Sequence, residues 1–136
     1  KKFIGKDLRY VSLPVSLNEP LSVLQKTCEN LTLSGARLFE RAAETDDPVL
    51  RQAFAVIGLA TFTANAKYRK KKPFNPMLGE TFEMVTENYR YLAEKVMHNP
   101  EQITALSLEG KNYHLYQYQL AKPQFKLNYG KGAMHI

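Results

Sequence analysis

The chain has 136 residues, 44% hydrophobic and 24% charged, with a net charge of +6. That is one domain's length, in which about two-thirds of the unfolded surface can be buried, with the composition of an ordinary globular protein. No apolar run approaches the ~20 residues a bilayer span needs, and no signal-peptide pattern is present.

The sequence begins KKFIGKD without an initiator Met, and the expectation is that it starts inside a longer protein. In chain order, Asn18-Glu19-Pro20 predicts a helix start: a capping side chain, an acid in the first turn and a proline where no N–H is needed. Leu21, Leu24, Cys28 and Leu31 follow at helical spacing and form a core-facing stripe. Cys28 is the single cysteine. It excludes an internal disulfide framework, fits a reducing compartment, and on this face reads as a buried, inert thiol.

Ser34 is placed to cap a short second helix with Leu38, Phe39, Ala42 and Ala43 inward. Asp46-Asp47-Pro48 repeats the start signal, and a third helix runs to about Ala66. Ala53, Phe54, Val56, Ile57, Leu59, Ala60 and Phe62 make it apolar nearly all round, which predicts cover on most sides. Phe54, Ile57, Phe82 and Leu108 are expected in the core.

After Gly79 the pattern changes to strands. Segments 80–86 and 89–96 flank Glu87-Asn88, and 103–108 and 113–120 flank Glu109-Gly110-Lys111-Asn112, each a hairpin signal. Segments 125–129 and 133–136 surround Gly130-Lys131-Gly132, and the last strand leaves an unpaired edge. Tyr113 and Leu115 point to one side, Tyr116, Tyr118 and Leu120 to the other. A sheet covered by helices on one face and turned toward an apolar interior on the other fits this pattern. The fold class is α+β: an N-terminal helical layer, then an antiparallel sheet, the opening part of an incomplete β-barrel.

Positive charge concentrates at Lys1, Lys2 and Lys6 and at Lys67, Arg69, Lys70, Lys71 and Lys72. Near an anionic membrane each such residue contributes about 1 kcal/mol of attraction. A nucleic acid, or simple solvation of a charged face, is equally compatible with charge alone.

Residues 71–82, KKPFNPMLGETF, join the helices to the first strand of the sheet. Pro73 and Pro76 fix φ at both corners of a turn, and Pro73 biases Lys72 away from helix. Lys72 and Asn75 therefore stand on rigid backbone, a cation and an amide suited to an anionic head group.

This segment resembles the signature of the oxysterol-binding-protein-related family, which carries lipids between membranes. The resemblance spans nearly the whole chain. It runs through Ser12-Leu13-Pro14-Val15, Leu17-Asn18-Glu19-Pro20-Leu21, Arg41-Ala42-Ala43, Asp47-Pro48, Lys72-Pro73-Phe74-Asn75-Pro76, Leu78-Gly79-Glu80-Thr81 and Glu109-Gly110-Lys111-Asn112-Tyr113. It implies a lid-proximal leading segment over 1–17, helices over 18–66, and a signature loop with antiparallel strands over 67–136. In the family a nearly closed barrel surrounds a tunnel that holds one lipid with its head group at the mouth. The implied ligand is a sterol or phosphatidylinositol 4-phosphate, with Lys72 and Asn75 among the head-group contacts. The implied setting is cytoplasmic, peripheral to anionic intracellular membranes, without cofactor, metal or enzymatic activity.

A second family signature, Glu-Gln-Val-Ser followed by His-His-Pro-Pro, is altered. Here it reads Glu94-Lys95-Val96-Met97-His98-Asn99-Pro100-Glu101-Gln102, one residue longer before the next strand. His98 takes the first histidine's place and Asn99 the second's. An amide donates hydrogen bonds but carries no charge, which implies a weakened or altered phosphoinositide preference. Lys95 replaces a neutral amide, and strand alternation decides whether its charge reaches the site. The family's domain is much longer, and the expectation is that this is a fragment or a truncated gene product, lacking the domain's C-terminal part and with an incomplete tunnel. The alternative is a truncated interaction fragment that keeps the fold and binds no lipid.

Readings from other classes carry less. Glu94, His98 and Glu101 would share a helical face as metal ligands or hydrolase residues, but Pro100 opposes a continuous helix. No Gly-rich phosphate loop, Cys-x-x-Cys or nucleophile elbow is present. Tyrosines among basic residues permit single-strand stacking, yet no nucleic-acid-binding module accompanies them.

Overall fold

The computed structural model describes residues 14–121. The strands expected at 125–129 and 133–136, the free edge expected at the last of them, residues 1–13 of the leading segment and the cluster Lys1, Lys2 and Lys6 lie outside the described residues.

After a 3₁₀ turn at Val15–Leu17, the chain is extended over β1, Asn18–Ser22, and the first helix, α1, spans Val23–Thr32. The helix start expected at Asn18-Glu19-Pro20 is therefore corrected. Ser22 is the N-cap, its Oγ accepting from Gln25 N at 3.3 Å. Ser22 and Gln25 have the spacing of a capping box. The upstream residues are claimed by tertiary partners instead. β1 pairs in parallel with β2, Lys72–Phe74, matching Asn18 to Lys72 and Ser22 to Phe74. Pro20 is tolerated because an edge strand can spare an N–H.

Three members of the expected stripe, Leu24, Cys28 and Leu31, lie on α1 and are fully inaccessible, but Leu21 falls in β1 and is half-buried. α2, Gly35–Ala43, buries Ala36, Phe39 and Ala42, while Leu38 is half-buried and Ala43 is exposed. Ser34 occupies its N-cap position without a side-chain hydrogen bond. α3, Pro48–Ala66, starts as its sequence predicts, with Asp47 Oδ1 accepting from Val49 N at 2.8 Å and Leu50 N at 3.2 Å.

α2 and α3 approach closely through glycines. A Cβ on Gly58 would lie 2.7 Å from the Phe39 ring, and one on Gly35 would lie 3.1 Å from the Gly58 carbonyl oxygen. The expectation that α3 is covered on most sides fails. Val49, Leu50, Val56, Ile57 and Leu59 are exposed, and Phe54 is only half-buried beneath the Arg41 guanidinium, 4.5 Å from its ring centroid. Helix packing here is supplied by α1 and α2, which occupy one side of α3.

Four strands follow: β3, Thr81–Val85; β4, Tyr89–Met97; β5, Gln102–Gly110; and β6, His114–Ala121. They form an open antiparallel meander in chain order, without closing into a barrel among the described residues. The parallel β1–β2 pair stands apart from it. Period-two alternation sends Tyr91, Ala93, Leu106 and Leu108 toward the helices, where they join Leu24, Cys28, Leu31, Ala36 and Phe39 in one core. Phe82 is half-buried against Tyr91, with ring centroids 6.3 Å apart. Tyr91 also donates to the Leu24 carbonyl at 3.3 Å.

Burial pushes the Cys28 thiol up to about 11, with the Glu29 charge adding to the shift and a Thr32 hydrogen bond opposing it. Cys28 is an inert thiol at neutral pH.

Candidate functional site

Lys72 opens β2 and is half-buried; Phe74 and Asn75 are exposed, and Pro76 is fully buried. Beyond Pro76 the chain makes a tight turn. Glu80 N donates to the Met77 carbonyl at 3.0 Å, and the Glu80 carboxylate accepts from Met77 N at 2.9 Å. Gly79 sits at φ +78°, the left-handed region that glycine enters without penalty.

The turn is joined to the end of β4. Gly79 N donates to the Lys95 carbonyl at 2.9 Å, and Lys95 N donates to the Glu80 carbonyl at 3.0 Å. These bonds continue the ladder that pairs Thr81 with Glu94. The two signatures, some fifteen residues apart in sequence, thus share one hydrogen-bonded frame.

Between Lys95 and Met97 the β4–β5 register shifts: Lys95 faces Thr104, but Met97 faces Ile103. The extra β4 residue makes a bulge, which re-aims side chains at the end of a strand. Val96 and Met97 are both exposed as a result, and His98 and Asn99 follow in the turn. An open depression of about 610 Å³ is lined by Met77, Leu78, Val96, Met97, His98 and Asn99. His98 and Asn99 therefore line the same depression as the signature turn. Lys72, in β2, and Asn75, just after it, precede that turn in the chain and are not among the residues lining the depression.

Lys95 lies on the opposite face. Its side chain is 3% exposed under the helices, with Nζ donating to Gln102 Oε1 at 3.0 Å. Alternation along β4 has carried its charge behind the depression rather than into it. Glu94 is exposed on β4, so the helical spacing that would align it with His98 and Glu101 does not apply.

From the depression, the face of the sheet turned away from the helices carries Leu92, Val96, Tyr116, Tyr118 and Leu120, all exposed, with the Glu94 carboxylate between Leu92 and Val96 on the same face. Its far end is polar. Arg90 pairs with Glu83 at 2.7 Å, and Ser107 Oγ and His114 Nε2 are 2.9 Å apart. An apolar wall with a polar turn at one end suits an amphiphile lying along the strands.

Sequence reasoning missed the role of Arg69. Expected as part of an exposed basic cluster, it is instead drawn inward, with its side chain 17% exposed. Its Nε donates to Asn30 Oδ1 at 2.9 Å, its Nη1 to Glu19 Oε2 at 3.1 Å, and its Nη2 to Glu29 Oε2. Burial would lower its pKa, but hydrogen bonds and charges from Glu29 and Glu19 outweigh that and raise it. Two acids spaced ten residues apart gave no local signal for this pairing.

The family model described as oxysterol-binding protein matches residues 1–133. Human oxysterol-binding protein-related protein 6 is 47% identical over 120 residues, which cover 84% of this chain and 12% of that protein. Oxysterol-binding protein homolog 1 of Saccharomyces cerevisiae is 38% identical over 118 residues, covering 85% of this chain and 10% of the relative. Among solved structures, the Osh1 ORD domain in complex with ergosterol superposes with a TM-score of 0.75 at 38% identity, covering 85% of this chain and 27% of that one. The Osh3 ORD in complex with PI(4)P from Saccharomyces cerevisiae gives a TM-score of 0.68 at 33% identity, covering 93% of this chain and 33% of that one.

An open meander backed by three helices, with the turn that follows Lys72-Pro73-Phe74-Asn75-Pro76 fastened to β4, is the part of the ORD fold that this chain shares with those solved domains. The chain belongs to the oxysterol-binding protein family. It spans about an eighth of the curated relatives' length and roughly a third or less of the solved domains it matches.

Proposed function

We propose that this chain is the opening part of a domain that binds a lipid and transfers it between membranes. The observation that carries the reading is the frame joining Gly79 and Glu80 to Lys95, which sets the signature turn beside His98 and Asn99 at one end of an apolar wall. Of the described residues, 18–66 supply β1 and the helical layer, and 67–121 the signature segment and the strands of the meander. Relatives solved with ergosterol and with PI(4)P support a sterol or phosphatidylinositol 4-phosphate as the cargo.

In this reading Lys72 and Asn75 hold the head-group phosphate, with His98 and Asn99 across from them. A charge-assisted contact from Lys72 contributes about 1.5–3 kcal/mol. Asn99 offers an amide where the family signature has a second imidazole, so phosphoinositide affinity is lower than a His-His pair would give. The chemistry is binding and release, not bond-making. The setting is the cytoplasmic face of intracellular membranes, with peripheral contact through exposed Lys67, Lys70 and Lys71. No helix among the described residues is long and apolar enough to cross a membrane.

The apolar wall is open along its length, which favours a second reading for the 136-residue chain on its own: a fragment that keeps the fold and serves in interaction. Mass spectrometry of lipids co-purifying with this chain and with the longest natural chain containing it separates the two. Lipid on the long chain alone assigns transfer to the whole domain. Lipid on neither contradicts the proposal.

A further inference from the structure

β2 has three residues and, among the described residues, a single partner strand. Two-stranded sheets of this size are marginal by themselves, so something else must fix where Lys72 stands. The groups around Arg69 are placed to do so. Arg69 precedes Lys72 by three residues, and its ion-pair partner Glu19 is the immediate neighbour of Asn18, the residue that pairs with Lys72. Both sides of the pairing are thus gripped within one turn of chain.

The grip extends into the helices. Arg69 also reaches Glu29 and Asn30 on α1, Asn65 of α3 donates to the Asn30 carbonyl at 2.8 Å, and Lys26 lies 3.4 Å from Glu19. A planar guanidinium meeting three acceptors at once fixes direction as well as distance, which a lysine ammonium does not. The anchor is partly desolvated, so salt screens it less than it screens exposed lysines.

We propose that Arg69 is a positioning residue that sets affinity for a phosphorylated head group by fixing where β2 presents Lys72. This rests on the reading of Lys72 as a phosphate contact. A sterol carries no phosphate, so its binding depends on the apolar wall and is insensitive to the grip.

The test uses the longest natural chain containing this segment, with Arg69→Gln, Glu19→Gln and Lys72→Ala variants. Each is offered phosphatidylcholine vesicles containing either phosphatidylinositol 4-phosphate or cholesterol, and thermal unfolding is recorded alongside. Arg69→Gln is expected to reduce phosphoinositide extraction about tenfold while cholesterol extraction stays within about twofold. Glu19→Gln, which leaves Arg69 bound to Glu29 and Asn30, is expected to give a smaller loss with the same selectivity. It carries the test if Arg69→Gln does not fold. Equal loss of both lipids in the folded variants assigns Arg69 a merely structural role and overturns the inference. A Lys72→Ala effect without any Arg69 or Glu19 effect overturns the inference alone. Retained phosphoinositide extraction in Lys72→Ala overturns the Lys72 reading and the inference with it.

Discussion

Lys95 donates its backbone N–H to the Glu80 carbonyl at 3.0 Å and accepts from Gly79 N at 2.9 Å. One residue of the altered second signature thereby holds the turn of the first. The side chain of Lys95, buried against Gln102, locks its own strand to β5 beneath that frame. The frame is backbone-made, so it tolerates side-chain change at 95 better than conformational change at 79.

Gly79→Ala tests that directly. No heavy atom lies within 4 Å of the added Cβ, so the cost is conformational rather than steric. A left-handed φ costs a non-glycine residue about 1–2 kcal/mol. Urea unfolding of the longest natural chain is expected to show a loss of that size, with phosphoinositide extraction falling more than cholesterol extraction.

Gly58→Ala sets two effects against each other. Helix propensity favours alanine by about 1 kcal/mol, but the new Cβ would stand 2.7 Å from the Phe39 ring. Overpacking of this kind costs about 1–3 kcal/mol. The steric term wins, and the variant is expected to unfold at lower denaturant. Stabilisation would mean that α2 and α3 part without cost.

The alkaline limb of stability follows from buried acids. Burial raises Cys28 from 9.0 to about 11 and Tyr113 from 10.0 to about 12, with the Glu40 and Tyr89 charges adding to the tyrosine's shift. Burial, with the nearby Cys28, also raises Tyr91 above its ordinary value. Each folded pKa exceeds its unfolded value, so the folded state holds these protons more tightly. The contribution of Cys28 and Tyr113 is complete below pH 9 and is lost as pH rises through about 11 to 12, while that of Tyr91 persists above this range. Chemical denaturation across pH 7–12 is expected to show a plateau and then a fall that Cys28→Ala makes shallower. A fall beginning well below the ordinary thiol range would contradict the burial.

Binding to anionic vesicles is expected to weaken between low and physiological salt, because exposed Lys67, Lys70 and Lys71 act through a screened field. Sedimentation at two salt concentrations measures it. Salt-independent binding would point to hydrophobic insertion.

The hairpins, the Asp47 cap and the α1 stripe were legible because each depends on neighbours in sequence. The helix start at Asn18 was misplaced because β1 is held by Lys72 and Arg69, some fifty residues away, against a locally adequate cap. Ile57 was misplaced because an all-apolar helix says only that cover suits it, not that the cover lies within these residues. Of the candidate site, the motifs nominated the residues, and alternation and a bulge decided their directions. Lys95 turned inward, and Val96 and Met97 both turned outward.

The central claim is that Lys72, at the head of the signature segment, reads phosphate. The most direct measurement compares Lys72→Ala with Lys70→Ala in the longest natural chain, by extraction of phosphatidylinositol 4-phosphate from vesicles. Each substitution removes one positive charge, so general attraction to the membrane falls by similar amounts. The account predicts a roughly tenfold or greater loss for Lys72→Ala, a small one for Lys70→Ala, and a gain when Asn99→His restores the second imidazole. Equal losses at positions 70 and 72, with Asn99→His inert, would contradict it.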